Sequence, residues 1–283
     1  MRPIALAALA LAGAAVLWFG VRLLLGFNRV AAGSPPPAAA AATDFSQERL
    51  GRVLEQYVVD GGVDYDRLSA QQQPLSQYVA SLAVTGPRST PALFADDDAR
   101  LAYYLNAYNA LVVHAVMAHW PIESVHDVRG AVEPKAGFGF FYALSFELDG
   151  DTINLYDLEH ERIRGFGDAR IHAAINCASA SCPTLRAAPF EPSQLDAQLD
   201  DATRAFVNDP RHVAVDDGRI HLNPIFEWYR EDFEKHAGPW GGTLLDFVEH
   251  YLEAQGAEAL RAARAAGHPV EFTNYDWALN RRG

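Results

Sequence analysis

The sequence predicts an α+β fold: a single helix-rich domain around one buried central helix, with short antiparallel hairpins instead of regular βαβ units. Three observations predict it. Residues 98–119 place Leu101, Tyr104, Leu105, Tyr108, Leu111, Val112, Ala115 and Val116 at helical spacing, while the opposite face carries Ala102, Ala110, Val113 and Met117. A helix apolar nearly all round belongs in the middle of a domain. Asp149-Gly150 and Asp217-Gly218, each between strand-like flanks, mark tight hairpins. No internal period of roughly 20–50 residues recurs, which excludes solenoids and propellers.

The elements follow in chain order. Ile4–Phe27 is mostly apolar and is interrupted by one charge, Arg22. A bilayer span takes about 20 such residues, whereas the apolar part of a cleaved signal takes about 7–15. Residues 1–29 therefore read as an N-terminal membrane helix ahead of a cleaved signal peptide, and both ahead of a buried core helix; Arg22 would snorkel to the interface. Residues 30–43, with the run SPPPAAAAAT, read as a linker, and residues 44–283 as the domain. Arg2 and Arg29 flank the apolar run on opposite sides, so the positive-inside signal is divided. A short leader followed by a linker favours a membrane-anchored body in an extracytoplasmic (periplasmic) location, or a secreted one if the leader is cleaved.

Asp44, with Gln47 three residues on, is expected to cap a first helix whose inner face is Leu50, Val53, Leu54, Tyr57 and Val58; Asp60-Gly61-Gly62 stops it. Pro74 suits the first turn of a second helix, and Thr90-Pro91 signals a third. Trp120-Pro121 ends the central helix. Phe146–Leu155 reads as the first hairpin, Asp157–Arg164 as a short helix closed by Gly165, and Arg170–Asn176 as a short extended or helical piece. Leu195–Phe206 is an amphipathic helix. His212–Val215 and Arg219–Leu222 form the second hairpin. Ile225–Phe233 and Leu244–Ala263 are helices, the latter capped by Thr243, and Val270–Phe272 is a last strand.

Composition narrows the function classes. With 49% hydrophobic and 11% aromatic residues the chain is not globally disordered. The formal net charge is −13, and every acidic residue lies from Asp44 onward, so the body repels phosphate backbones and a nucleic-acid partner is not expected. Two cysteines, Cys177 and Cys182, exclude a disulfide-dense scaffold and a four-cysteine zinc site.

Two groups of residues invite chemistry. Asn106 and Asn109 lie three apart on the buried helix, where an unpaired carboxamide costs roughly 1–3 kcal/mol; they either brace a loop or serve a site. The stretch Asp157–Pro183 concentrates Glu159, His160, Arg164, Arg170, His172, Asn176, Cys177, Ser179, Ser181 and Cys182. If residues 170–176 are extended, Arg170, His172 and Asn176 share one side. If a helix begins at Pro183, Cys182 sits at its N-terminus, a position that lowers a thiol pKa. Four readings stay open: a cysteine nucleophile served by a histidine base and an orienting Glu or Asn; a local Cys177–Cys182 disulfide; a zinc site from His160, His172, Cys177 and Cys182; and a redox pair. Gly137-Phe138-Gly139 lacks the rest of a dinucleotide fingerprint. Asp96-Asp97-Asp98 reads as a solvated helix start, and His114, His119 and His126 as structural or surface residues.

The segments Leu105-Asn106-Ala107-Tyr108-Asn109-Ala110-Leu111, Leu158-Glu159-His160 with Arg164, Arg170-Ile171-His172, Asn176-Cys177-Ala178-Ser179 and Ser181-Cys182-Pro183 resemble the family named domain of unknown function 547 (DUF547). Phe226-Glu227-Trp228-Tyr229 with Asp232-Phe233, and Tyr275-Asp276-Trp277-Ala278-Leu279-Asn280, extend the resemblance to about residues 45–280. The family's name assigns no activity. The resemblance implies export in bacterial relatives, and thiol chemistry or signalling through the glutaredoxin-like and DEP modules joined to some relatives. A histidine ahead of an Asn-Cys step also looks like permuted papain-like hydrolases, so a papain-like or transglutaminase-like character is expected by analogy.

The leading expectation is a cysteine-dependent hydrolase or acyl transferase acting on peptide-like or amide substrates. Cys177 is its nucleophile, His172 (or His160) the base, and Glu159 the orienting group. Arg164 and Arg170 hold an anionic group or lock the site, Asn106 and Asn109 donate from the central helix, and Asn176 and Cys182 support it. The rival is a non-catalytic binding or scaffold domain with a Cys177–Cys182 disulfide and an internal Glu/Arg/His network; the third reading is the Cys/His zinc site. No cofactor is expected. The expected partners are the membrane, through the N-terminal helix, and a small-molecule or peptide substrate. The sequence carries no signal for an oligomeric state.

Overall fold

A computed structural model describes residues 28–32, 45–130 and 133–282. The expected membrane helix, most of the expected linker and the Asp44 cap lie outside the described residues. Among the described residues no helix is long and apolar enough to cross a membrane. The architecture is mixed helix and small sheets, the α+β class that the patterning implies.

The first strand, β1 (Asn28–Arg29), is followed by α1 (Glu48–Tyr57), the two-residue strands β2 (Val58–Val59) and β3 (Gly62–Val63), α2 (Tyr65–Ser69), α3 (Gln73–Val84) and the central α4 (Asp97–Ala118). Next come β4 (Leu144–Leu148), β5 (Asp151–Ile153), α5 (Leu155–Asp157), α6 (Ile171–Ala174) and α7 (Leu195–Val207). The chain closes with β6 (Val213–Asp216), β7 (Arg219–Leu222), α8 (Ile225–Trp228), α9 (Arg230–His236), α10 (Leu244–Tyr251), α11 (Ala254–Ala265) and β8 (Val270–Phe272).

Helix α4 behaves as its pattern requires. Asp96 caps it by accepting from the Ala99 N–H at 2.8 Å, with Asp97 and Asp98 in the first turn facing the positive end of the dipole. From Leu101 to Met117 every residue is buried. Around it packs the larger core, which draws on α1 to α4, β4 and the 155–190 region. A second core joins α7, the β6–β7–β8 sheet and α8 to α11. Residues 28–32, which the sequence reading divides between leader and linker, run along β4: β1 pairs with it in parallel, and Val30 N–H donates to the Ser145 carbonyl at 2.9 Å.

Three hairpins turn on an aspartate–glycine pair with both residues at positive φ: Asp60-Gly61, Asp149-Gly150 and Asp217-Gly218. That is the two-residue turn whose twist matches antiparallel strands. The last two pairs form the expected hairpins, with Phe146 opposite Ile153 and Val213 opposite Leu222, and Asp216 belongs to the second ladder, paired with Arg219. The first forms the small β2–β3 ribbon where the sequence suggested only a helix stop; each strand is too short to show alternation. Strand β8 then pairs with β7 in parallel.

Other expectations need correcting. Thr90-Pro91 opens only one 3-10 turn, Pro91–Leu93. The segment after α5 is not one short α-helix: Leu158–Ile163 is π-helical and Arg164–Phe166 is 3-10, closed in the left-handed region by Gly167 at φ 74, not by Gly165. Residues 171–174 are helical, so Arg170, His172 and Asn176 do not share one strand face. No helix begins at Pro183, which removes the helix-terminus argument for Cys182. Ile225–Phe233 breaks at Tyr229, and Leu244–Ala263 breaks at Leu252–Glu253; both breaks fall inside continuous apolar patterns and leave no Gly or Pro signal.

Candidate functional site

The widened turns after α5, the loop after α6, the α8–α9 break and the C-terminal segment converge on a hollow of about 490 Å³. Its walls are mainly rings: Tyr108, Phe141, Tyr142, Tyr156, Trp228, Tyr229, Tyr275 and Trp277, with His160 and His172. Tyr108 is where the central helix reaches it. Glu159 and the two cysteines complete the lining, and Lys135 stands at one side.

Glu159 comes from the π-helical turn and lines the hollow. It is 7% exposed. Oε1 is buried with no hydrogen-bond partner. Burial pushes this carboxyl up to about 7; the hydrogen bond from the Tyr229 hydroxyl and the charge of Arg164 pull it down, and Asp232 raises it. A carboxyl that titrates near neutrality and keeps a free oxygen can accept from, donate to or neutralise a bound molecule.

His172 lies on α6, with Nε2 2.8 Å from Asp232 Oδ2. Its ring stacks on Tyr229 at 3.9 Å between centroids. Burial holds its pKa below the ordinary value, and the contact with Asp232 only partly offsets this. The pair is therefore a neutral imidazole donating to a carboxylate rather than an ion pair. Asp232 is held well below the usual carboxylate range by the His172 bond first and by Arg164. Arg164 grips it through Nε at 2.8 Å and a second nitrogen at 3.0 Å. His160 stacks on Tyr156, centroids 3.8 Å apart. Its Nδ1 donates to the Tyr156 carbonyl at 3.0 Å, which leaves the neutral ring's lone pair at Nε2.

Cys177 and Cys182 are joined as a disulfide, and no free cysteine remains. Both line the hollow. Cys177 Sγ lies 3.0 Å from Ser179 Oγ and 3.1 Å from the Tyr275 hydroxyl, which are themselves 2.9 Å apart. The Cys177 N–H donates to Cys182 Sγ at 2.8 Å. The loop between the sulfurs is fixed from outside. Ala178 is in the left-handed region at φ 61, a conformation costing a non-glycine residue roughly 1–2 kcal/mol. Its N–H donates to Asn176 Oδ1 at 2.8 Å, and its carbonyl accepts from Asn280 N–H at 3.0 Å. The Ala180 N–H donates to the Ala278 carbonyl at 2.7 Å, so residues 275–280 run along the disulfide loop as an added wall.

Five of the expected residues, Arg164 with its grip on Asp232 among them, do not line the hollow. Asn106 clamps Phe190, accepting from its N–H and donating to its carbonyl, both at 2.8 Å. Asn109 donates to the Ala174 carbonyl at 3.0 Å and accepts from Asn176 N–H at 2.8 Å, fixing the site's backbone from behind. Asn176 donates to the Pro183 carbonyl at 2.7 Å. Arg170 turns away to Asp168, Asp196 and Asp200. The zinc alternative finds no assembled ligand set: both sulfurs are bonded to each other, and His172 Nε2 is committed to Asp232. Among the described residues no three His, Cys, Asp or Glu side chains are grouped to hold an ion.

Sequence reasoning does not reach the aromatic walls, Asp232 or Lys135 as parts of the site. Their common signal, a concentration of Tyr and Trp in the resemblance segments 226–229 and 275–277, is visible in the sequence, but nothing local joins residues 135–142 to it.

No curated protein and no solved structure matches the chain. The family model described as "Protein of unknown function, DUF547" matches residues 93–207, a narrower span than the resemblance suggested from sequence. The match takes in α4, Glu159, His160, His172 and both cysteines, while Asp232 and the Trp228, Tyr229, Tyr275 and Trp277 rings come from outside it. Over residues 93–207, then, the chain resembles DUF547, a family whose description names no activity.

Proposed function

We propose that the chain is a binding domain for a small organic ligand, held in the ring-walled hollow with the disulfide as part of its wall. One observation carries this reading: Glu159, a carboxyl with one buried and unpartnered oxygen, belongs to the lining of a largely apolar cavity of about 490 Å³. That volume lies within the about 300–1,000 Å³ range of small-molecule sites, which combine apolar walls with a few convergent polar groups. The oxidised cysteines favour binding over thiol catalysis. Export through Ile4–Phe27, with the body outside the cytoplasm, belongs to the same proposal, because a disulfide persists in such a compartment. The test is saturation-transfer NMR on the full chain with phenol, cyclohexanol and benzyltrimethylammonium. At least one probe should give a saturable signal that weakens in Trp228→Ala and Trp277→Ala; three probes without saturation would remove the proposal.

One observation favours a second reading, the cysteine hydrolase or acyl transferase. Cys177 Sγ is met by two hydroxyls in the same hollow as two neutral imidazoles. On reduction, Cys177 would become the nucleophile and His160 or His172 the base. Alkylation after mild reduction tests it: fast modification of Cys177 below pH 8, lost in His160→Ala or His172→Ala, supports the hydrolase. Equal, slow modification of both cysteines discards it.

A further inference from the structure

Positive charge supplied by the chain itself already lies against the aromatic rings of the hollow. Lys135 Nζ sits 4.2 Å from the centroid of the Tyr142 ring and 5.9 Å from that of Tyr156. The Arg164 guanidinium lies 5.4 Å from the Tyr229 centroid. Tyr142, Tyr156 and His160 form a continuous stack, with centroids 4.3 and 3.8 Å apart, and Trp228 stacks on Trp277 at 5.9 Å. Aromatic faces present negative potential, and several of them around one hollow suit a cation that sheds its water.

Charge counting points the same way. Asp232 is matched by Arg164 and by the His172 N–H. Glu159, more than nine-tenths buried, keeps Oε1 unpartnered and lines the hollow. Lys135, a surface side chain, is bonded to the Tyr142 hydroxyl rather than to Glu159. A neutral or anionic ligand would add no counter-charge to the ionised carboxylate beyond what the Tyr229 hydroxyl and Arg164 supply, whereas a cation would pair with it and cover the rings together.

Building on the binding reading above, we propose that the ligand is an organic cation, a small alkyl- or arylammonium, held by the ring faces with Glu159 as its counter-ion. Lys135 is a rival cation at the rim, so its removal should strengthen binding. The groups that act on Glu159 are Tyr229, Arg164, Asp232, Tyr108 and Tyr275, and His160, His172 and Lys135 share the lining of the hollow with it. A carboxylate is the binding form, so affinity should rise as pH climbs through about 7. His160 and His172, both held below the ordinary imidazole value by burial, would add repulsion only in more acid solution.

The experiment is calorimetric titration of the full chain with choline and with its uncharged carbon isostere, 3,3-dimethylbutan-1-ol. At pH 8 choline should bind at least about tenfold more tightly. That preference should vanish in Glu159→Gln, shrink at pH 6, and grow about threefold in Lys135→Gln, an exposed substitution that keeps the proposal testable should Glu159→Gln fail to fold. Equal affinity for the two probes would overturn the cation assignment and leave the binding domain standing. No binding of either, together with none of phenol or cyclohexanol, would remove both.

Discussion

Glu159 is placed where a carboxyl lowers stability. Its folded-state pKa, about 7, lies above the unfolded value of about 4.3, so between those limits the native state binds more protons than the unfolded one. Its contribution is fully favourable only below the unfolded value and is lost as pH rises toward about 7. Glu159→Gln should therefore raise the melting temperature at pH 8 while leaving it little changed at pH 4; scanning calorimetry at both pH values checks this, and about 2–4 °C is expected per kcal/mol recovered. Asp232 and His172 work in the opposite sense. The carboxyl is depressed by its partners and the imidazole is depressed by burial, so the unfolded chain takes up more protons than the native one in acid. Stability from this pair should be complete above about pH 6.5 and decline as pH falls through the unfolded values of about 6.5 and then 3.9. Asp232→Asn should flatten that decline in an acid-unfolding series.

At the scale of elements, the two asparagines of α4 act as clamps. Each satisfies one backbone N–H and one backbone carbonyl from a distant loop, so Asn106→Ala or Asn109→Ala should each cost about 1–3 kcal/mol in urea unfolding. Only Asn109→Ala should also disturb the hollow, because its partners are Ala174 and Asn176. The Cys177–Cys182 bridge spans a sequence separation of 5. By loop-closure entropy such a short ring contributes about 2 kcal/mol, so reduction should lower stability by that amount without unfolding the domain. What the sequence made legible follows from periodicity and turn chemistry. Helix α4, α7 and the hairpins at Asp149-Gly150 and Asp217-Gly218 lie where patterning puts them, because each is specified within its own residues. The π-helical turn at Leu158–Ile163 and the breaks at Tyr229 and Leu252 are set by tertiary contacts, and a continuous apolar pattern cannot register them.

For the whole molecule, the same division explains the site. Glu159, His160, His172, Cys177 and Cys182 fall within one short stretch, and their gathering was visible from local density of reactive side chains. Their partners were not: Asp232 reaches His172 across a sequence separation of 60, and Tyr275 reaches Cys177 across 98. Pairings over such distances are products of packing two cores side by side, with α6 and its loop between the α4-centred core and the α7–α11 core. The net charge of −13 adds a field that favours cations over anions at the mouth of the hollow, and this long-range part should weaken with salt.

The measurement that bears most directly on the account is a carbon-detected NMR titration of the Glu159 carboxyl in the intact chain, with and without saturating choline. The account predicts a midpoint near 7 in the free protein, displaced downward when the cation is bound. A midpoint near the solvated value of about 4.3, unmoved by choline, would contradict it.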